Sequence, residues 1–310
     1  MIGKHTIFAA AALMLLGAAE ANAAAPPAIV NASELPDLIS REHPVILSAQ
    51  SQDNEKGNEP GYLKGAYAVD EDLWTADSRS QANLDDLALW SGLIGRVGIG
   101  SRQRFVIVYD DGALKFASRI RFLLHHYGVD RAVLVNGGWP AIDALIKQGK
   151  LEGQPHRSVP FPANYKVAIV QPPIPVATRL DVLQNLKNPA IQIIDVRTPP
   201  EYAGVPDKKL PLPRPGHIPG AINVPLADLL DAAGNVPANP ALRGKFLAHG
   251  IDAKKQLIFY CYDGARSSLA ATMAVKAGFP AVKLYYLSFL DWSSNAGDPV
   301  VTGPNPSADK

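Results

Sequence analysis

Two apolar runs of strand length organise the chain. Phe105-Val106-Ile107-Val108-Tyr109 leads into Asp110-Asp111-Gly112, and Leu257-Ile258-Phe259-Tyr260-Cys261 leads into Tyr262-Asp263-Gly264, with one residue of slack between them. A continuous apolar run closed by a polar, glycine-containing loop reads as a buried strand. Beyond each loop the apolar positions change to helical spacing, at Ala117, Ile120, Leu124 and Tyr127 in the first case and Leu269, Met273 and Ala277 in the second. Strand-like Ala132-Val133-Leu134-Val135 and Val282-Lys283-Leu284-Tyr285 follow. Upstream, residues 61–69 can be laid against residues 216–224, each a glycine-bounded turn feeding a short strand.

The chain is therefore an internal repeat of strands alternating with helices. That order predicts an α/β fold of two similar domains, each a mostly parallel sheet with helices on both faces. The boundaries fall at residues 24–160 for the first domain, 161–175 for a proline-rich linker and 176–295 for the second domain. Residues 296–310, rich in Pro, Gly, Ser and Asn, are expected to form a flexible tail. Residues 1–23 have the parts of a secretory signal: Lys4 and His5, an apolar run from Thr6 to about Ala19, and Ala21 and Ala23 at the cleavage positions. The run is short for about 30 Å of hydrocarbon. Export is expected, to the periplasm if the source is Gram-negative, with no membrane segment left after cleavage.

Thirty basic side chains against 29 acidic ones leave a charge of +1, which argues against an electrostatic grip on nucleic acid or an anionic membrane. The single cysteine, Cys261, rules out an intramolecular disulfide and any CxxC zinc or redox pair. It lies where a buried strand meets a helix N-terminus, the edge at which open α/β sheets bind ligands. A loop curling into a helix aims several backbone N–H groups at one point, which suits an anion or a thiolate nucleophile. Gly264 permits positive φ or close backbone approach. Ser267 is placed to cap the helix or to donate to sulfur. The candidate catalytic residues are thus Cys261, Arg266 and Ser267, in a loop whose other members, Tyr262, Asp263, Gly264 and Ala265, would surround a bound substrate.

At these residues the chain resembles the rhodanese family of sulfurtransferases. Asp195-Val196-Arg197 with Glu201-Tyr202-Ala203-Gly204, then Gly216-His217-Ile218-Pro219-Gly220-Ala221, then Cys261-x-x-Gly264-x-Arg266-Ser267 are similar to that family's three ordered motifs. The resemblance implies two rhodanese-like domains, the first catalytically inactive. It also implies an enzyme that holds a sulfane sulfur as a persulfide on Cys261. The partners it implies are a small-molecule donor such as thiosulfate or 3-mercaptopyruvate and a thiophilic acceptor such as cyanide, a thiol or a thiol protein. It implies no cofactor and no metal. In the first half Asp110 falls where the alignment expects the cysteine, and a carboxylate cannot carry sulfane sulfur. That half is expected to support the fold and part of the site wall, with Asp110 and Asp111 solvated or capping.

Several positions depart from the pattern. Thiosulfate enzymes of the family carry Arg and Lys directly after the cysteine, and the mercaptopyruvate branch carries Gly and Ser; Tyr262 and Asp263 stand here. Asp263 would repel an anionic donor unless it points away or pairs with an arginine. The mercaptopyruvate branch also places a second arginine where Glu201 stands here, which leaves Arg197 as a substrate clamp that holds an anion by its fork or as a structural ion-pair partner. Leu287 and Phe289 replace a usual Gly and Trp. A cysteine-loop phosphatase is disfavoured, because such loops place Arg six residues after the nucleophile and His before it, whereas Arg266 is five after Cys261 and Tyr260 precedes it. The rival from another class is a non-catalytic persulfide carrier or binding module.

Overall fold

The computed structural model describes residues 27–50, 61–168 and 171–305. The expected signal segment lies outside the described residues. The first half supplies β1 (Ile29–Asn31), β2 (Val45–Ser48), β3 (Tyr62–Leu63), β4 (Ala66–Ala68), β5 (Val106–Tyr109), β6 (Ala132–Asn136) and β7 (Gly153–Gln154). The second supplies β8 (Ile191–Asp195), β9 (Ile222–Asn223), β10 (Gln256–Tyr260) and β11 (Val282–Leu284).

These strands form two parallel sheets, ordered β1-β6-β5-β2-β4 and β11-β10-β8-β9, and a small antiparallel pair, β3-β7. Val176 bridges Leu284 in parallel, at the edge that β1 occupies against β6 in the first sheet. The two sheets therefore match strand for strand, with β5 and β10 as the equivalent strands that carry the two polar loops. β2 and β5 are buried along their whole length, which is why their sequences are continuous apolar runs with no alternation.

Each loop feeds a long helix, Lys115–His126 in the first half and Ala265–Lys276 in the second. The residue before each helix is left-handed, Leu114 at φ 58° and Gly264 at φ 97°. One hydrophobic cluster takes in Ile120, Phe122 and Leu124 of the first helix and Leu269 and Met273 of the second, so the halves share a core. Polar contacts close the same seam. Asn136 and Val236 exchange two hydrogen bonds at 3.0 and 2.9 Å, and the Ser78 and Tyr286 hydroxyls meet at 2.6 Å.

Within the linker, Ala163 and Tyr165 are tied to the first half: Ala163 N–H donates to the Gly95 carbonyl at 2.9 Å and the Tyr165 hydroxyl to the Tyr127 carbonyl at 2.7 Å. The expectation of a flexible tail from residue 296 is corrected over residues 296–305. Val301 and His217 exchange backbone hydrogen bonds, Asp298 takes an ion pair from Arg179 at 2.8 Å, and the Trp292 indole donates to the Pro299 carbonyl at 2.8 Å. Gly216 fits beneath this segment only because it has no side chain, since a Cβ there would lie 2.3 Å from the Val301 oxygen. Among the described residues no helix is long and apolar enough to cross a membrane.

Asp110 closes the loop of the first half. Fully buried, its carboxylate accepts from the N–H groups of Gly112, Leu114, Phe116 and Ala117 at 2.9–3.2 Å. It is a capping acid that satisfies the donors a helix start leaves open. Asp110→Ala is expected to lower the urea-unfolding free energy by about 3 kcal/mol, from the donors left buried and unpaired. Asp110→Asn, which keeps one acceptor oxygen, should lose less; equal stability of all three proteins would refute the role.

Candidate functional site

Cys261 follows the last residue of β10 and is fully buried as a free thiol. Two donors face its sulfur: the Gly264 N–H at 3.2 Å and the Ser267 hydroxyl at 3.4 Å. The helix Ala265–Lys276 begins directly after Gly264, so the positive end of its dipole lies at the thiol. Ser267 and Ser268 hydroxyls both bond the Gly264 carbonyl, at 3.2 and 2.7 Å, tying the loop to the first helical turn. Gly264 is required here twice over: its φ is +97°, and a Cβ would lie 2.6 Å from the Tyr286 carbonyl oxygen. From the far side, Cys261 N–H donates to the Ser288 hydroxyl at 3.2 Å, and Phe289 and Leu290 amides bond the carbonyls of Cys261 and Tyr262.

Tyr262, Asp263, Gly264, Ala265, Arg266 and Ser267 all belong to this one turn. Tyr262 lies at its rim, with its hydroxyl donating to the Pro211 carbonyl at 3.1 Å. Arg266 forms a bidentate pair with Glu201, both contacts at 2.7 Å. Glu201 is also the third residue of the helix Pro199–Ala203 and completes a capping box with Thr198. Burial alone would raise the Glu201 carboxyl, but the Arg266 guanidinium and Thr198 bring it down to about 2.

Arg197 stands apart from the turn. Its fork is engaged by Asp195, with Nε 3.0 Å from both carboxylate oxygens, and its Nη2 donates to the Gly216 carbonyl at 2.7 Å. The guanidinium carbon sits 4.2 Å from the Phe289 ring centre, and the residue is fully buried. Of the two roles open to Arg197, the geometry favours the structural ion pair. Asp195 accordingly holds the framework of the loop.

The partner of Asp263 is the residue that sequence reasoning missed. Arg119, from the helix Lys115–His126 of the first half, reaches the Asp263 carboxylate at 2.8 Å. It also contacts Glu71 at 2.9 Å, and the Thr75 hydroxyl. Burial would raise the Asp263 carboxyl; Arg119 outweighs it and holds the group below its ordinary range. Asp263 is thus a neutralised acid. In the sequence Arg119 was visible only as a charge among the apolar positions Ala117, Ile120 and Leu124. Its partner lies 144 residues away, and nothing local points to it.

Two cavities border the turn. One, of about 200 Å³, is lined by Glu201, Lys208 and Pro211 among others. The second, of about 250 Å³, lies between the halves, with Ser78 and Arg79 on one side and Asp263 and Leu290 on the other. The first half therefore contributes to the wall around the cysteine loop. Such an arrangement suits a thiolate nucleophile that takes up one small anionic atom among amides.

The profile of the rhodanese-like domain matches residues 178–295. The chain is 30% identical to the 3-mercaptopyruvate sulfurtransferase of Escherichia coli strain K12 over 203 residues, 64% of this chain and 69% of that one. It is 31% identical to the thiosulfate sulfurtransferase of Azotobacter vinelandii over 206 residues, 65% of this chain and 72% of that one. Among solved structures, the E. coli 3-mercaptopyruvate sulfotransferase superposes with a TM-score of 0.68 at 24% identity, covering 85% of this chain and 99% of that one. The anaerobic ergothioneine biosynthesis enzyme of Chlorobium limicola superposes with a TM-score of 0.75 at 20% identity, covering 89% and 70%. These two structural likenesses speak for the fold.

The Glu201–Arg266 pair gives a pH prediction. The Glu201 carboxyl is depressed from an ordinary 4.5 to about 2 in the folded protein, so its contribution to stability is complete above the unfolded value and is lost as pH falls through the folded one. The stability difference between wild type and Glu201→Gln, read by urea unfolding, should be flat above about pH 5 and shrink toward pH 2. A difference independent of pH across that window would refute the pairing.

Proposed function

The chain belongs to the tandem-domain rhodanese sulfurtransferase family, and from that premise we propose that Cys261 accepts a sulfane sulfur as a persulfide and passes it to a thiophilic acceptor. The observation that carries this reading is the turn itself: a single buried thiol with the Gly264 N–H and the Ser267 hydroxyl directed at its sulfur.

In the first half-reaction the Cys261 thiolate attacks the outer sulfur of a donor such as thiosulfate. The donor S–S bond breaks, sulfite leaves with the electron pair, and the sulfur remains on Cys261 as a persulfide anion. In the second, cyanide or a thiolate attacks that terminal sulfur, the persulfide S–S bond breaks, and its electron pair returns to Sγ. The first-turn amides of the helix Ala265–Lys276 stabilise the negative charge at each stage, a task for preorganised dipoles in a dry site. Ser267 supports the sulfur directly. Arg266 acts beside it, with its charge already opposed by Glu201.

Because Arg197, Arg266 and Arg119 each face a carboxylate, a dianionic donor finds no uncommitted arginine within the turn. Arg79, exposed on the cavity wall, is the cation best placed to meet the charged end of thiosulfate or 3-mercaptopyruvate. The complete burial of Cys261 also favours a second reading, a persulfide carrier that discharges only when a partner protein's thiol engages it. Export of the mature chain belongs to the same proposal and rests on residues 1–23 alone.

Intact-mass analysis after incubation with thiosulfate or 3-mercaptopyruvate is expected to show one added sulfur on the wild type. Cyanide should remove it, and Cys261→Ala should never acquire it. Loading without turnover until a protein thiol is added would select the carrier. Absence of sulfur uptake from either donor would overturn both readings.

A further inference from the structure

The Arg119 guanidinium makes two contacts with Asp263, and the less conspicuous one bears on the nucleophile. Besides pairing with the carboxylate, Nη2 donates to the Asp263 backbone carbonyl at 3.1 Å. That carbonyl belongs to the peptide unit whose other end is the Gly264 N–H, and this N–H donates to Cys261 Sγ at 3.2 Å. One planar amide group therefore has a cation on its oxygen and the reactive sulfur on its nitrogen.

The carbonyl and N–H of a trans peptide point in opposite directions along one rigid plane, so fixing the oxygen also aims the proton. A charged donor on the oxygen also draws electron density through the amide, and serial hydrogen bonds of this kind strengthen one another by about 10–30%. Arg119 is itself held firmly. It is almost fully buried, and Glu71 and Thr75 occupy its other terminal nitrogen. The left-handed φ of Gly264 and its close approach to Tyr286 leave the same peptide little freedom to rotate on its own.

We propose that Arg119, a residue of the half that carries no cysteine, is a positioning residue for sulfur transfer: through the Asp263–Gly264 peptide it orients and polarises the N–H that supports the Cys261 thiolate and its persulfide. The idea rests on the persulfide reading for its chemical consequence, but the peptide link can be read separately. Asp263 also has a stated part in this arrangement, since its carboxylate brings the guanidinium to the loop and offsets its charge.

The test uses the full chain with 15N-labelled glycine and the variants Arg119→Met and Arg119→Lys, with folding of each verified by thermal unfolding. The Gly264 amide resonance is expected to shift in Arg119→Met and to move part of the way back in Arg119→Lys, which keeps the charge. Single-turnover loading of Cys261 from thiosulfate should fall about tenfold in Arg119→Met with the donor KM unchanged, and recover in part in Arg119→Lys. An unmoved Gly264 resonance in Arg119→Met overturns the proposal whatever the activity. A moved resonance with an unchanged loading rate overturns the claim that the peptide serves the nucleophile. If the wild type loads no sulfur at all, the sulfurtransferase reading fails while the resonance still decides the peptide link.

Discussion

A buried guanidinium is costly unless its hydrogen-bonding capacity and charge are met where it lies. The charge and both terminal nitrogens of Arg119 are met by Glu71 and Thr75 from its own half and by Asp263 from the other, while its buried Nε has no partner. Glu71 and Asp263 supply two negative charges around one positive charge, and the second of them lies two residues after Cys261. This contact joins the shared core to the cysteine turn, so the loop of one half is held in part by a helix of the other. The cysteine-free half is thus part of the site.

The same accounting of charge runs through the whole site. Asp195 opposes Arg197, Glu201 opposes Arg266, and Asp263 opposes Arg119. The charged side chains of the site are opposed by one another, and what is left to face the sulfur is neutral: the Gly264 N–H and the Ser267 hydroxyl. A site built this way responds to charge that develops at one atom more than to the total charge of what enters. It distinguishes this turn from one lined with uncommitted cations.

Much of this was legible in the order of residues. Continuous runs at 105–109 and 257–260 mark strands covered on both faces, and these are β5 and β10. The Cys261-to-Ser267 turn was legible because its members are contiguous and each has a local reason: a glycine for positive φ, a serine for the first helical turn. Contacts made across the fold were not. The Arg119–Asp263 pair spans 144 positions, and the helix that carries Arg119 reads from sequence only as an amphipathic segment. The tail misled for a related reason. Its Pro, Gly, Ser and Asn content matches coil, yet residues 296–305 are fixed by backbone pairing with His217 and by Arg214, which donates to the carbonyls of Ser293 and Asp298 at 3.0 and 2.6 Å. Composition reports a lack of helix or strand, which is different from a lack of order.

Asp110 shows what the two halves hold in common and where they part. Its carboxyl group, two oxygens on a short stem, fills the amide cup of the first half through four hydrogen bonds. The persulfide proposed for Cys261 would have a similar outline: a stem atom and a terminal atom above a helix start. The first half thus contains a permanent likeness of the loaded second half, written into its sequence and present at every moment. In one half the acceptor is a fixture of the fold; in the other, on the proposed mechanism, it arrives and departs with each sulfur.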